Sequence, residues 1–204
     1  MKRPIVIGVT GNIACGKTLV TSMLSALGAE IIDGDRVYAD LATPGGPLLR
    51  DIANAFGSEA LLPDGSLDRK TLGRRVFADP VELQRLDAVI RPYVVPEMLR
   101  RTEASTADVV VLDAVKLFES RLADACDERW VVVCDRRQQL ERLMSRNGLD
   151  EAAALSRINA QRPQAEKIAL ADVVIDNSGS IDKTREQVRA AHDALIQRIH
   201  STSA

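Results

Sequence analysis

Two glycines, a lysine and a threonine near the start of the chain have the types and spacing that bind a polyphosphate. They belong to the run Gly11-Asn12-Ile13-Ala14-Cys15-Gly16-Lys17-Thr18, which matches the phosphate-loop pattern G-x-x-x-x-G-K-[ST]. The glycines allow the backbone to approach phosphate closely. We expect Lys17 to reach the β- and γ-phosphates of a nucleoside triphosphate and Thr18 to place its hydroxyl on Mg²⁺. The loop predicts nucleotide binding without indicating which reaction follows.

The sequence on either side of this loop predicts a strand before it and a helix after it. Residues 4–9 are apolar and β-branched, which is typical of a buried strand. Behind the loop, apolar residues recur at helical spacing and stop before Gly28. A strand, a glycine loop and a helix together surround phosphate with backbone N–H groups and a helix N-terminus.

Two aspartates are candidates for activating a hydroxyl acceptor. Asp33 and Asp35 come directly after a second predicted strand, residues 29–33. We expect Asp35 to accept the proton of a substrate hydroxyl, and Asp33 to hold Mg²⁺ or orient its waters. The alternative is that one of them caps the following helix, because Asp is a favoured N-cap. Both roles can coexist.

Two arginines and a glutamate complete the candidate site. Arg142 and Arg146 are four residues apart and share a helix face. They are expected to stabilise the charge of a transferred phosphoryl group, the alternative being a solvated helix face. Glu119 is a candidate substrate contact, although a carboxylate at the start of a helix is an equally good explanation.

Alternating apolar runs and helical segments predict an α/β fold. The runs are continuously apolar, as in strands of a parallel sheet that are buried on both faces, and helical segments separate them. Four of the five runs end in an aspartate, at the carboxyl edge where such sheets collect ligands. The runs are residues 4–9, 29–33, 108–113, 130–135 and 172–176. We predict a P-loop kinase core with a five-stranded parallel sheet flanked by helices.

Two stretches interrupt this alternation. Residues 36–107 are too many for one crossover helix and carry several helical patterns, so we expect a helical, substrate-binding insertion. Residues 136–170 are rich in Arg, Gln and Glu and are expected to form a helical lid. The core then comprises residues 1–35, 108–135 and 171–200, and residues 1–204 make a single P-loop kinase domain.

Composition limits the function classes. The 204 residues are 46% apolar, enough for one compact domain with a core. The net charge of −2 argues against nucleic-acid or polybasic membrane binding, and no apolar run reaches the ~18 residues of a membrane span. Cys15, Cys126 and Cys134 lack metal-ligand spacing and suggest a reducing compartment. We expect a cytoplasmic monomer or weak homo-oligomer that binds neither nucleic acid nor membranes.

With these residues in place, the chain resembles the bacterial dephospho-CoA kinases from the first strand to about residue 190. The matching stretches are residues 8–11 before the loop, Ile32-Asp33-Gly34-Asp35, Asp64-Gly65-Ser66-Leu67-Asp68-Arg69 and residues 171–177. The resemblance implies ATP- and Mg²⁺-dependent phosphorylation of the ribose 3′-hydroxyl of dephospho-CoA, which gives CoA and ADP in the last step of coenzyme A synthesis. The alternatives are another small-molecule P-loop kinase, for a nucleoside or a sugar acid, or a regulatory P-loop NTPase.

The resemblance also assigns roles by position. It makes Asp35 the base, Lys17 and Thr18 the phosphate and metal residues, and Arg142 the lid arginine. The expected catalytic residues are Asp35, Lys17 and Arg142. The expected nucleotide-binding residues are Gly11, Asn12, Ile13, Ala14, Cys15, Gly16, Lys17, Thr18, Arg142 and Arg146. The expected substrate-binding residues are Asp33, Asp35, Arg69, Phe77 and Glu119, and the expected metal residues are Thr18 and Asp33.

Three positions depart from the pattern of the family. Arg91 precedes Pro92 where the family usually has histidine, and Val115-Lys116-Leu117 replaces the usual proline-leucine-leucine. Cys15 replaces a small serine or glycine. The first two departures concern the expected substrate side, and none changes a residue expected to transfer the phosphoryl group.

Overall fold

The computed structural model of the protein describes residues 3–202, apart from the side chains of Phe77, His200 and Thr202. Its strands are β1 (Ile5–Gly11), β2 (Glu30–Asp33), β3 (Val109–Asp113), β4 (Glu128–Val133) and β5 (Val173–Asp176). They form one parallel sheet in the order β2-β3-β1-β4-β5, which confirms the predicted five-stranded parallel sheet.

The centre of the sheet is β1. Ile5 lies opposite Val109 of β3 on one side, and Gly11 lies opposite Val132 of β4 on the other. The strand order therefore reverses beside β1, because β2 and β3 lie to one side and β4 and β5 to the other. In open parallel sheets, ligands bind at the carboxyl end of such a reversal. The loop that follows β1 starts at that point.

All five strands were predicted to be buried on both faces, but only the central strands β1, β3 and β4 are. Every residue of β1 and β3 is buried, and in β4 only Arg129 is partly exposed. The edge strands β2 and β5 are more open, and Val174 of β5 is 40% exposed. An edge strand lacks a neighbour on one side, so its side chains are less fully covered.

The fourth strand begins and ends two residues earlier than predicted. Glu128 and Arg129 were not included in the predicted strand, because charged residues are rarely buried in a strand unless they are paired. Glu128 is 5% exposed and accepts hydrogen bonds from Trp130 Nε1 and from Arg198, each at 2.8 Å. Arg129 pairs with Asp172 at 2.7 Å. Both charges are therefore compensated where they lie.

Residues 3–31 and 105–202 form one compact unit around this sheet. Its helices are α1 (Lys17–Ala26), α6 (Arg136–Asn147), α7 (Glu151–Asn159), α8 (Gln164–Ile168) and α9 (Ile181–Thr202). Helices α1 and α9 pack together, and Leu24 and Leu195 are fully buried beside Trp130 of β4. Between α6 and α7, Leu143, Ala154 and Ile158 form a smaller apolar cluster.

Residues 32–104 form a second compact unit. Its helices are α2 (Gly34–Leu41), α3 (Pro47–Phe56), α4 (Arg69–Ala78) and α5 (Pro80–Ala104). They enclose a separate apolar cluster that includes Leu48, Ile52, Phe56 and Leu72. A unit with its own core can hold its shape without contributions from the sheet.

Aspartates start two helices of this second unit. Asp33 Oδ1 accepts the N–H of Asp35 at 2.8 Å, and Asp68 Oδ1 accepts the N–H of Thr71 at 2.9 Å. Each bond satisfies a backbone donor that the first turn of a helix leaves unpaired. None of the helices within residues 3–202 is long and apolar enough to cross a membrane.

Candidate active site

The predicted phosphate loop is a tight turn between β1 and α1. Gly16 has φ +96°, and a Cβ at this position would overlap the side-chain amide of Asn177, so only glycine fits. At Gly11 the constraint is packing, because a Cβ there would lie 2.7 Å from the carbonyl oxygen of Val132. Ala14 has φ +61°. Strain of this kind, on the order of 1–3 kcal/mol, tends to occur at binding sites.

Lys17 forms an ion pair with Asp113. Its Nζ donates a hydrogen bond to Asp113 Oδ1. The Asp113 side chain is 5% exposed and that of Lys17 is 19% exposed. Asp113 ends β3, the neighbour of β1, and from the sequence it was only one of several aspartates at strand ends. The ion pair places it in the candidate site.

Two glutamines from the segment 136–170 hold the loop at Ile13. Gln139 Nε2 donates to the carbonyl oxygen of Ile13 at 2.8 Å, and Gln161 Oε1 accepts the N–H of Ile13 at 2.7 Å. Asn12 Nδ2 donates to the carbonyl oxygen of Arg162 at 3.0 Å. Neither glutamine was predicted as a site residue. The glutamine-rich composition of this segment was a signal for both, and Gln161 is also one of the residues that carry the resemblance to the family.

Asn177, which directly follows β5, joins the loop to Arg142. Its Nδ2 donates to the carbonyl oxygen of Cys15 at 2.8 Å, and its own carbonyl oxygen accepts from Arg142 Nη2 at 3.1 Å. Its Oδ1 accepts from the hydroxyl of Thr184 at 3.0 Å. Asn177 is buried, so its bonds to Cys15 and Thr184 are shielded from water.

The two predicted arginines have different surroundings. Arg142 also donates to Gln138 Oε1 at 3.2 Å, and its Nη1 is buried with no hydrogen-bond partner among residues 3–202. A buried guanidinium donor without an acceptor suits an anionic ligand. Arg146 is exposed and donates to its neighbour Asn147 at 3.0 Å. Of the two, the structure brings Arg142 to the loop.

Glu119 lies in the segment after β3, and no helix starts there. The alternative of a helix-start carboxylate is therefore wrong. Glu119 Oε1 is 3.5 Å from Arg162 Nε, and Oε2 is buried without a hydrogen-bond partner in the described part of the chain. Lys167 donates to the carbonyl oxygen of Val115 at 3.2 Å. Burial lowers the pKa of Lys167, and the charge of Glu119 opposes this shift.

The remaining predicted residues lie in the unit 32–104. Asp33 caps α2, which confirms the capping alternative for this residue, and Asp35 is exposed in the first turn of that helix. Arg69 is exposed at the start of α4, with its guanidinium carbon 5.9 Å from the ring centroid of Tyr38. Burial raises the pKa of Tyr38, and the charge of Arg69 opposes this shift. The side chain of Phe77 lies outside the described part of the structure.

The sheet and the loop that follows its central strand place the protein in the class of P-loop kinases. The chain belongs to one family of that class, the dephospho-CoA kinases, because the family model matches residues 5–183. It is 45% identical over 186 residues to the dephospho-CoA kinase of Carboxydothermus hydrogenoformans, and the match covers 90% of each chain. The resemblance seen in the sequence is thereby confirmed, and the protein is an ATP-dependent kinase.

Solved structures agree with this assignment. The structure of TT1252 from Thermus thermophilus is similar with a TM-score of 0.80 and 33% identity, covering 95% of this chain and 98% of the other. A shikimate kinase from Bacteroides thetaiotaomicron has a TM-score of 0.54 at 16% identity, covering 94% and 98% of the two chains. The second similarity concerns the fold alone.

Proposed function

We propose that the protein transfers the γ-phosphoryl group of ATP to the ribose 3′-hydroxyl of dephospho-CoA, giving CoA and ADP. Membership of the family supports the choice of acceptor. The observation that carries the chemistry is the buried Nη1 of Arg142, which has no hydrogen-bond partner among the described residues. Through Asn177, this arginine is tied to the loop that contains Lys17. Such a donor suits negative charge that develops on a group in transfer.

The loop is proposed to bind the phosphates of ATP. Its backbone N–H groups and the N-terminus of α1 supply donors, and Lys17 exchanges Asp113 for the β- and γ-phosphates. In this scheme Asp113 is the counter-ion of Lys17 in the absence of ATP, and it holds the lysine in position for the phosphates.

Mg²⁺ is proposed to bind together with ATP. The oxygen donors fit this hard cation, since Thr18 is an exposed hydroxyl in the first turn of α1 and Asp33 and Asp113 are carboxylates. In kinases Mg²⁺ keeps few protein ligands and neutralises charge on the β- and γ-phosphates. Asp33 also caps α2 through Oδ1, which leaves Oδ2 for the metal or its waters.

Asp35 is proposed to orient and deprotonate the acceptor hydroxyl. Its carboxylate is exposed, and the capping role belongs to Asp33. Arg69 is proposed to bind phosphates of the acceptor, because it is exposed beside Tyr38, with Cζ 5.9 Å from the ring centroid, and a guanidinium can bind phosphate in bidentate fashion. Phe77, within the proposed substrate-binding insertion, and Glu119, in the segment after β3, complete the proposed acceptor contacts.

The segment 136–170 is proposed to act as a lid. Arg142 then stabilises the phosphoryl group in transfer, and Arg146 supports it at closure. We further propose a cytoplasmic protein, monomeric or weakly self-associating, without nucleic-acid or membrane partners. Cys15, Cys126 and Cys134 are free thiols, which suits a reducing compartment.

An acceptor comparison tests the proposed function. We expect dephospho-CoA with ATP and Mg²⁺ to give CoA and ADP in equal amounts, whereas adenosine, shikimate and gluconate are poor acceptors. A coupled ADP assay measures each rate, and chromatography identifies CoA. ADP release without acceptor serves as the blank. Faster turnover with a nucleoside or a sugar acid would reject dephospho-CoA while retaining the kinase core.

A further inference from the structure

The phosphate loop contains a thiol that lies against a second thiol. Cys15 is fully buried and Cys134 is 5% exposed, and both belong to one apolar cluster. The two thiols are close enough for each to shift the pKa of the other, and Cys15 Sγ also donates to Gln164 Oε1 at 3.6 Å. Cys134 Sγ is also 4.0 Å from the carbonyl oxygen of Ala14, so it contacts the loop directly.

The sheet explains why these thiols meet. Cys15 belongs to the loop after β1, Cys134 directly follows β4, and these strands are paired with Gly11 opposite Val132. The segments that follow two paired parallel strands leave the sheet at the same edge. The contact therefore follows from strand register rather than from a chance approach of two mobile side chains.

The two thiols differ in their chemistry. The neighbouring Cys15 thiol lowers the pKa of Cys134, and the positive charge of Arg142 lowers it further, against the effect of burial. The neighbouring Cys134 and burial raise the pKa of Cys15. Cys134 therefore has more thiolate character, and thiolate is the form that reacts with oxidants.

We propose that Cys15 and Cys134 are an oxidisable pair, which hydrogen peroxide converts to a disulfide that disables the phosphate loop. The thiolate of Cys134 attacks one peroxide oxygen, the O–O bond breaks, and the other oxygen leaves as hydroxide and takes up a proton. The sulfur of Cys15 then attacks the resulting sulfenic acid, the S–O bond breaks, and its proton leaves with the hydroxyl as water. Two thiols and one peroxide thus give one disulfide and two waters.

The disulfide acts on nucleotide binding because Cys15 belongs to the loop. The sulfurs must approach each other to a separation of about 2 Å. The carbonyl oxygen of Cys15 is held by Asn177 at 2.8 Å, and the preceding Ala14 is already in the left-handed region. The displacement therefore reaches the loop N–H groups that face the phosphates.

Thermodynamic linkage adds a second, independent expectation. If the disulfide weakens ATP binding by a given factor, bound ATP disfavours the disulfide by the same factor. ATP with Mg²⁺ should therefore protect the pair from oxidation. This proposal rests on ATP binding by the loop, so activity of the reduced enzyme with dephospho-CoA is measured first, and failure of the proposed function is seen separately.

The experiment treats the reduced full-length protein with hydrogen peroxide, with and without ATP and Mg²⁺. We expect the intact mass to fall by two hydrogens and a non-reducing peptide map to link Cys15 with Cys134. The Kd for ATP should rise about tenfold or more, and bound ATP should then disfavour the disulfide to the same extent. Dithiothreitol should restore both binding and activity.

Two variants separate the pair from general oxidation. Cys134→Ser should keep the activity of the reduced enzyme and resist peroxide, with Cys134→Ala as a second variant if the first is unstable. Cys126→Ser is the matched control, because burial raises the pKa of Cys126 to about 12, and it should stay as sensitive as the wild type. Equal inactivation of Cys134→Ser and wild type would overturn the proposal. So would a Cys15–Cys134 disulfide that leaves ATP binding unchanged.

Discussion

At the residue scale, Lys17 and Asp113 depend on each other. A largely buried carboxylate is costly unless a positive charge compensates it, and Asp113 is 5% exposed beside Lys17. From the sequence alone, Lys17 would be a solvated loop lysine whose loss leaves stability unchanged. The structure replaces that expectation, since removing the lysine leaves Asp113 without its counter-ion.

Lys17→Ala should therefore abolish most catalysis and also lower the free energy of unfolding, by about 1–3 kcal/mol. Adding Asp113→Asn to this variant should recover stability, because it removes the uncompensated charge, but should not recover activity. Thermal melting and the coupled ADP assay measure the two effects. A single variant as stable as the wild type would show that the ion pair contributes little to folding.

Asp33 and Asp35 should differ in their effect on folding, because only Asp33 caps a helix. Asp35→Asn should lower kcat by roughly 10²–10⁴-fold, as expected for a lost general base, with little change in melting temperature because its side chain is exposed. Asp33→Ala should lower stability by about 1 kcal/mol through loss of the helix cap. Asp33→Asn is its control, since Asn also caps helices. Near-normal turnover of Asp35→Asn would remove it as the base.

At the element scale, three separate parts of the chain converge on the phosphate loop. Helix α6 contributes Gln139 and Arg142, the segment before α8 contributes Gln161, and the turn between β5 and α9 contributes Asn177. Each bonds to the backbone of the loop or to a group that does. The loop is therefore shaped by its surroundings as well as by its glycines.

Asn177→Ala should raise KM for ATP and lower kcat, because it releases Cys15 and removes the side-chain anchor of the turn that holds Arg142. Thr184→Val should show the same effects in weaker form, since it removes only the hydroxyl that orients the Asn177 amide. KM for dephospho-CoA should change less in both variants. Steady-state kinetics with each substrate varied in turn measure these changes.

Gln187→Ala is the matched control for this prediction. Gln187 bonds the backbone N–H and carbonyl oxygen of Asp176, each at 2.9 Å, and so supports the same turn without contacting the loop. It should lower thermal stability without a selective rise in KM for ATP. An identical kinetic profile for the Gln187 and Asn177 variants would indicate a general effect of loosening the turn.

At the scale of the whole molecule, the features that could be predicted from the sequence are those that local sequence patterns determine. The phosphate loop was recognisable because its residues are contiguous, and the sheet because its strands are short apolar runs. The missed contacts join residues far apart in the chain. Nothing local to Asn177 or Gln161 indicates that each meets the loop, and the register of β1 with β4 decides that Cys15 meets Cys134.

The burial of charged residues was equally difficult to predict from the sequence. The start of β4 was not predicted because Glu128 is charged. Its hydrogen bond from Trp130 and its ion pair with Arg198 of α9 form only in the folded structure. Asp113 was recognised as a strand-ending carboxylate, but its burial against Lys17 follows from the pairing of β1 with β3. A buried charge can be interpreted only when its counter-charge is known.

The order of strands in the sheet has a consequence for folding during synthesis on the ribosome. The central strand, β1, is synthesised first, but its two partners, β3 and β4, follow only after residues 32–104 have emerged. That intervening unit is contiguous and has its own core, so it can fold while β1 still lacks both neighbours. The apolar strand β1 therefore stays unpaired in the nascent chain while residues 32–104 are synthesised. Unpaired apolar strands of this kind are prone to aggregate.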